Sequence, residues 1–209
     1  NHCTYCIIPS VRGPIRSRPV DEIRAEAERL AQAGFTELVL TGIHLTSYGR
    51  DFTPRQTLLD AIRAVQDVPG VRRIRLGSLE PTVATVEFAQ ALRTMDKVCP
   101  QFHLALQSGS DTVLQRMARR YNMRMYRQAM ENLRAVYPMA AFTTDVLTGF
   151  PGETEAEFEE TRDFIREARY AKIHVFPYSQ REGTKAAVMP GQLSNAEKER
   201  RARLLIACL

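Results

Sequence analysis

The sequence contains no apolar run long enough to cross a bilayer, no signal-peptide pattern, and no low-complexity tract or mid-chain linker. These absences argue against a membrane span, a secreted protein and a string of tethered modules. Its four cysteines, two of them isolated at Cys99 and Cys208, are too few and too scattered for a disulfide framework. A reducing cytoplasm is the expected compartment. What is present suits one sizeable α/β domain: 209 residues, 44% of them hydrophobic, enough to fill a core. The net charge of +5 and the pI near 9.2 allow an anionic partner without separating nucleic acid from a phosphorylated metabolite.

Short β-branched and leucine-rich runs alternate with longer amphipathic stretches. Residues 36–42, 71–78, 101–108, 141–150 and 171–179 read as strands. Residues 20–34 carry apolar side chains at helical spacing and stop at Gly34, and helices are expected near 57–67, 82–95, 123–136 and 153–170. Strands separated by helices of this length predict parallel βαβ units in a barrel-like or doubly wound domain. Polar and glycine-rich residues fall just after each strand: Gly42 and His44, Ser78 and Glu80, Gln107 to Ser110, Gly149 to Thr154, and Tyr178 to Thr184. In α/β barrels that end of the strands carries the active site.

The first six residues, "NHCTYC", hold Cys3 and Cys6 in a Cys-x-x-Cys pair with an aromatic spacer, Tyr5. Alone, such a pair reads as a zinc half-site, a redox couple or part of a cluster site. Any metal site built on it needs further ligands, which must return in space or lie upstream.

Five ordered segments carry a resemblance that covers essentially the whole chain: "NHCTYCIIPSVRGPIRSRP", "ELVLTGIHLTSYG", "HLALQSGSDTVLQRMARRY", "TDVLTGFPGETEAEFEET" and "VFPYSQREGTKAA". Together they resemble the radical S-adenosylmethionine core of the methylthiotransferases. The resemblance implies a partial (β/α)6 TIM-like barrel lacking its first strand. It also implies a core over 1–190, and a helix over 191–209 leading towards an RNA-binding (TRAM) domain outside the chain. Cys3 and Cys6 correspond to the second and third cysteines of a Cys-x-x-x-Cys-x-x-Cys motif, whose first would lie two positions before Asn1. Three thiolates would hold a 4Fe–4S cluster and leave one iron for S-adenosylmethionine, which is cleaved to a 5′-deoxyadenosyl radical. The resemblance further implies an auxiliary 4Fe–4S cluster, held by an N-terminal domain expected outside the chain. Tyr5, Thr41, Gly42, Ser78, Glu80, Gln107, Ser108, Arg119 and Asp145 are the residues expected around the S-adenosylmethionine, Arg119 as a carboxylate clamp.

Within that family, "LTGIHLTSYG" and "SLEP" resemble the branch that methylthiolates C2 of N6-threonylcarbamoyladenosine at position 37 of tRNA, with His44 expected against the modified base. The alternatives are methylthiolation of N6-isopentenyladenosine or of a ribosomal-protein aspartate, and, outside catalysis, an RNA-binding or zinc-stabilised module. The charge distribution suits an anticodon loop. Residues 116–134 hold six arginines against Glu131 alone, while 153–167 holds seven acids and two arginines. Arg16, Arg18, Arg124 and Arg127 are the expected tRNA contacts, with the acidic segment a solvent-facing helix. A flavodoxin or ferredoxin is the implied electron donor, and a monomer without membrane contact the implied state.

Overall fold

The computed structural model describes residues 2–208. Along them run α1 (Ile8–Arg12), α2 (Val20–Gln32), β1 (Glu37–Leu40), α3 (Leu58–Gln66), β2 (Arg73–Leu76), α4 (Val86–Arg93) and β3 (Gln101–His103). These are followed by α5 (Asp111–Arg116), α6 (Met123–Val136), β4 (Ala141–Thr148), α7 (Glu155–Ala168), β5 (Lys172–Pro177) and α8 (Asn195–Ile206). The strands and long helices fall where the hydrophobic pattern places them, and α8 lies in the tail expected to be helical. The sequence reading omits α1 and α5, which are only five and six residues long, too short for a helical period to show.

Local chemistry sets the helix starts. Thr57, Thr85, Thr154 and Ser194 each accept the backbone N–H three residues on, at α3, α4, α7 and α8. At α3 and α7 the third residue, Asp60 or Glu157, reaches back to the capping residue's N–H at 2.8 Å, which completes a capping box. Each cap contributes about 1 kcal/mol. Pro81–Val83 forms a short 3-10 turn, so α4 begins at Val86, after its Thr85 cap, rather than at the expected 82.

The chain divides into two units, the first made of residues 1–14, 104–127 and 142–209, the second of 15–103 and 128–141. In the second unit β1 and β2 pair in parallel, Glu37 opposite Arg73 and Leu40 opposite Leu76. Its core includes the fully buried Ile62, Val65, Ile74, Leu92 and Phe102, each worth about 1.5–3 kcal/mol of burial.

In the first unit β4 and β5 pair in parallel, Thr143 opposite Lys172 through Thr148 opposite Pro177. Alternate β4 residues, Phe142, Thr144, Val146 and Thr148, are buried. Thr144 explains why the strand expected over 101–108 is regular only at Gln101–His103. Its hydroxyl accepts the Leu106 N–H at 2.9 Å and donates to the Leu104 carbonyl, so a side chain takes the place of ladder partners. Tyr126, fully buried, donates to the same Leu104 carbonyl at 2.8 Å.

α8 packs into this unit. The Thr148 hydroxyl donates to the Lys198 carbonyl at 3.2 Å. Arg201 meets Glu153 at 2.8 Å, with side chains 5% and 1% exposed. A Cβ at Gly149 would fall 2.4 Å from Lys198 Cγ.

A Cβ at Gly109 would lie 2.6 Å from Thr161 Cα, so the loop after residue 108 rests directly on the α7 backbone. The Gly109 N–H donates to Thr161 Oγ1 at 2.9 Å. Gly109→Ala is expected to lower stability by about 1–3 kcal/mol through overpacking. Urea unfolding checks this, and a midpoint equal to the parent's would refute it.

Candidate functional site

Cys3 and Cys6 stand at the ends of one turn in the first unit, closed by the Cys6 N–H on the Cys3 carbonyl at 3.1 Å. Both thiols are free, Cys3 buried and Cys6 half-buried. Thr4 fixes the turn on the end of α5: its N–H donates to the Met117 carbonyl at 3.1 Å and its hydroxyl to the Arg116 carbonyl at 2.9 Å. The Thr4 carbonyl in turn accepts the Ala186 N–H at 2.9 Å. Tyr5 packs edge-on to Phe150, ring centres 6.3 Å apart, and its hydroxyl donates to Gln107 Oε1 at 3.2 Å. Burial pushes the Tyr5 hydroxyl well above the ordinary tyrosine pKa, against the opposing pull of Arg119, so it is a donor at any working pH.

Arg119 brings its guanidinium to the turn, Nη1 donating to Cys3 Sγ at 3.1 Å. Two free thiols at one turn, one of them receiving a charged N–H, are the soft sulfur donors an iron–sulfur cluster takes. Among the described residues no group of three or more His, Cys, Asp or Glu side chains is placed to hold a metal ion, so they build no closed four-ligand zinc site. Cys208 donates to the Leu204 carbonyl at 3.2 Å, and Cys99 lies in the second unit.

Gln107 adopts φ of +65°, unusual for a residue with a side chain. The β4 backbone holds it there: its N–H donates to the Asp145 carbonyl and its carbonyl accepts the Leu147 N–H, both at 2.8 Å. Gln107 and Asp145 are thereby adjacent. Ser108, fully buried, faces α7 instead, its Oγ 3.3 Å from Thr161 Oγ1.

The remaining strand-end residues lie in the second unit. Thr41, Gly42 and Ser78 are exposed. His44 and Glu80, expected to serve different molecules, meet each other: His44 Nε2 lies 3.0 Å from Glu80 Oε2, with side chains 23% and 7% exposed. His44 Nδ1 bonds the buried Ser47 hydroxyl, and the Glu80 N–H donates to Thr46 Oγ1 at 3.2 Å. Sequence reasoning missed Thr46 and Ser47, although Ser47 stands one helical turn beyond His44.

The expected separation of basic and acidic surfaces does not persist in the fold. Arg116 grips Glu157 with both terminal nitrogens, at 2.9 and 2.8 Å. Arg127 pairs with Glu167, its guanidinium carbon 4.7 Å from the Phe164 ring centre, in a cleft of about 500 Å³ that also presents Asp111, Glu160 and Asp163. Two of the expected arginines thus have acidic partners on α7, while Glu155, Glu160, Asp163 and Glu167 stay exposed, as a solvent-facing helix requires. Arg124 and Arg16 are exposed. Arg18 pairs loosely with Glu22 at 3.4 Å, both more than half exposed.

Residues 1–165 match the radical SAM superfamily. Over 207 residues the chain is 44% identical to the threonylcarbamoyladenosine tRNA methylthiotransferase MtaB of Bacillus subtilis, covering 99% of this chain and 46% of that protein. It is 42% identical to the tRNA-2-methylthio-N(6)-dimethylallyladenosine synthase of Symbiobacterium thermophilum, covering 98% and 45%. The chain thus spans about half the length of these relatives. Coproporphyrinogen III oxidase (HemN) from Escherichia coli, a radical SAM enzyme, superposes with a TM-score of 0.67 at 17% identity, over 99% of this chain and 49% of its own. Methylornithine synthase (PylB) gives 0.66 at 16%, over 100% and 59%. These likenesses show the fold, the α/β fold of radical SAM barrels that the sequence led us to expect.

Two outcomes follow from the geometry. Arg116 chiefly, with Thr112 and the Thr154 N–H, holds the Glu157 carboxyl at about 2, down from the ordinary 4.5. A depressed carboxyl stabilises the fold fully above its unfolded pKa and loses that contribution as pH falls through its folded one. Stability is expected to fall between about pH 5 and 2, and Glu157→Gln to flatten that limb in acid-unfolding curves. His44→Ala and Glu80→Gln are expected to be non-additive by about 0.5–3 kcal/mol in a double-mutant denaturation cycle; strict additivity would mean that the pair contributes nothing.

Proposed function

Taking as premise that the chain belongs to the radical SAM superfamily, we propose that it is the catalytic core of a tRNA methylthiotransferase acting on C2 of N6-threonylcarbamoyladenosine at position 37. The observation that carries this reading is the turn between Cys3 and Cys6, two free thiols held by backbone bonds on the end of α5. Cys3 and Cys6 would hold a 4Fe–4S cluster, with the third thiolate supplied from outside these residues. When bound, that cluster and S-adenosylmethionine supply one-electron cleavage of a sulfonium carbon–sulfur bond.

The chain's own residues orient and shield. Tyr5 and Phe150 place aromatic surface beside the turn and exclude water. Gln107, Arg119 and Asp145 are the polar groups that the first unit would offer to S-adenosylmethionine. Ser108 acts through the loop it pins on α7. Arg16, Arg18 and Arg124 are the exposed cations available to RNA phosphate, with Arg127 shared with Glu167.

The "TGIHLTSYG" loop, "SLEP" and the 44% identity to the threonylcarbamoyladenosine enzyme support this branch. The 42% identity to a dimethylallyladenosine synthase over almost the same span favours the second reading, the same chemistry on that nucleoside. An auxiliary cluster carried by sequence beyond these residues, a flavodoxin or ferredoxin as reductant, and a monomer in the cytoplasm belong to the same proposal.

In the full-length enzyme, Cys3→Ala or Cys6→Ala is expected to abolish deoxyadenosine formation with the fold retained, since both thiols lie in a turn. Mass spectrometry of tRNA nucleosides from a deletion strain complemented with parent or variant tests activity and branch together. Methylthiolated threonylcarbamoyladenosine should return with the parent only. Return of the dimethylallyl product alone would move the assignment to the second reading.

A further inference from the structure

We propose that Arg119 raises the reduction potential of the cluster assigned to Cys3 by donating an N–H to the Cys3 sulfur. The inference rests on the reading of Cys3 as a cluster ligand. Arg119 Nη1 stands 3.1 Å from Cys3 Sγ, and the side chain is held there from more than one direction. Its Nε donates to the Tyr121 hydroxyl at 3.1 Å, and its guanidinium carbon sits 4.9 Å from the Tyr121 ring centre. Tyr121 is itself 4% exposed and shares its hydroxyl hydrogen between the Ala105 and Leu106 carbonyls, at 2.7 and 3.0 Å. The guanidinium therefore points at the sulfur from a fixed base rather than from a mobile stem.

The backbone shows the same constraint. Ala118, immediately before Arg119, has φ of +57°, a strained conformation for a residue with a Cβ. It turns the chain at the end of α5, where the Ala118 N–H meets the Gln115 carbonyl and the Arg119 N–H meets the Leu114 carbonyl, both at 2.9 Å. Gln107, across the Tyr5 hydroxyl from Arg119, is likewise left-handed, at +65°. Two of the three non-glycine residues with positive φ among the described residues thus adjoin Arg119 in the chain or bond the Tyr5 hydroxyl beside it.

The electrostatic consequence is directional. One electron passes from a reductant to the cluster, and no bond of Arg119 forms or breaks. The reduced state carries one more negative charge on iron and sulfur. A nearby cation and an N–H···S bond therefore stabilise it more than the oxidised state, which moves the potential upward. Arg119 is a positioning residue in this role, distinct from any contact it makes with the carboxylate of S-adenosylmethionine.

The test is an EPR-monitored dithionite titration of the anaerobically reconstituted full-length enzyme without S-adenosylmethionine, with iron content measured alongside. Arg119→Met is expected to keep its iron and to shift the reduction equilibrium about tenfold towards the oxidised form, ~59 mV for one electron. Tyr121→Phe, which removes the anchor and leaves the guanidinium, should shift it the same way by less, and reads the effect even if the first variant fails to retain iron. Arg119→Lys should fall between parent and Arg119→Met, because the charge stays and the fork is lost. Potentials equal to the parent's in iron-loaded variants would overturn the proposal and leave the cluster assignment standing. A parent that takes up no iron with its full cysteine motif would overturn both.

Discussion

The helix α5 ends on carbonyls that Thr4 occupies, and the placement of the thiols depends on that join. The last carbonyls of any helix lack intrahelical donors; here the Thr4 N–H and hydroxyl supply them at 3.1 and 2.9 Å. The six-residue α5 is in turn fixed to α7, because Arg116 grips the Glu157 that also closes the capping box of α7. One carboxylate thus starts a helix, anchors an arginine and steadies the backbone on which Cys3 and Cys6 are mounted. Its depressed pKa is the electrostatic signature of that triple use.

Opposite charges that are distant along the sequence meet in the folded chain. Arginines of residues 116–127 and α8 take up acids at or near α7, which converts two blocks of like charge into a set of ion pairs. Most are partly exposed and contribute little singly. Their effect on function is selective: Arg124 is left exposed on the surface while Arg127 is held against Phe164 and Glu167. A positive stretch of sequence is therefore no measure of the positive surface offered to phosphate.

Much of the fold was legible in the sequence because its signals are local. Hydrophobic runs marked the strands, and apolar side chains at helical spacing marked the long helices. The cysteine pair was legible for the same reason. What the sequence could not show depends on contacts between distant residues. Nothing in "QSGS" announces that Ser108 turns to Thr161 while Gln107 takes a left-handed conformation under the hold of β4. His44 and Glu80 were read as serving separate molecules, since 36 positions of sequence hide a 3.0 Å contact. Tyr121 was visible in "MARRY" only as an aromatic; its hydrogen bonds to the Ala105 and Leu106 carbonyls make it the seat of Arg119.

The packing of α8 changes what counts as the end of the core. Lys198 fills the space left by the missing side chain of Gly149 and sets its ammonium 5.1 Å from the Tyr178 ring centre, while Arg201 neutralises the buried Glu153. Removing one partner of such a buried pair costs about 3–5 kcal/mol, a large share of the 5–15 kcal/mol that holds a typical domain together. A chain cut at residue 190, where the motifs run out, would strand a carboxylate inside the protein and open a notch beside β4. The seam between core and tail that the sequence suggests is crossed by a helix serving as the first unit's own plug.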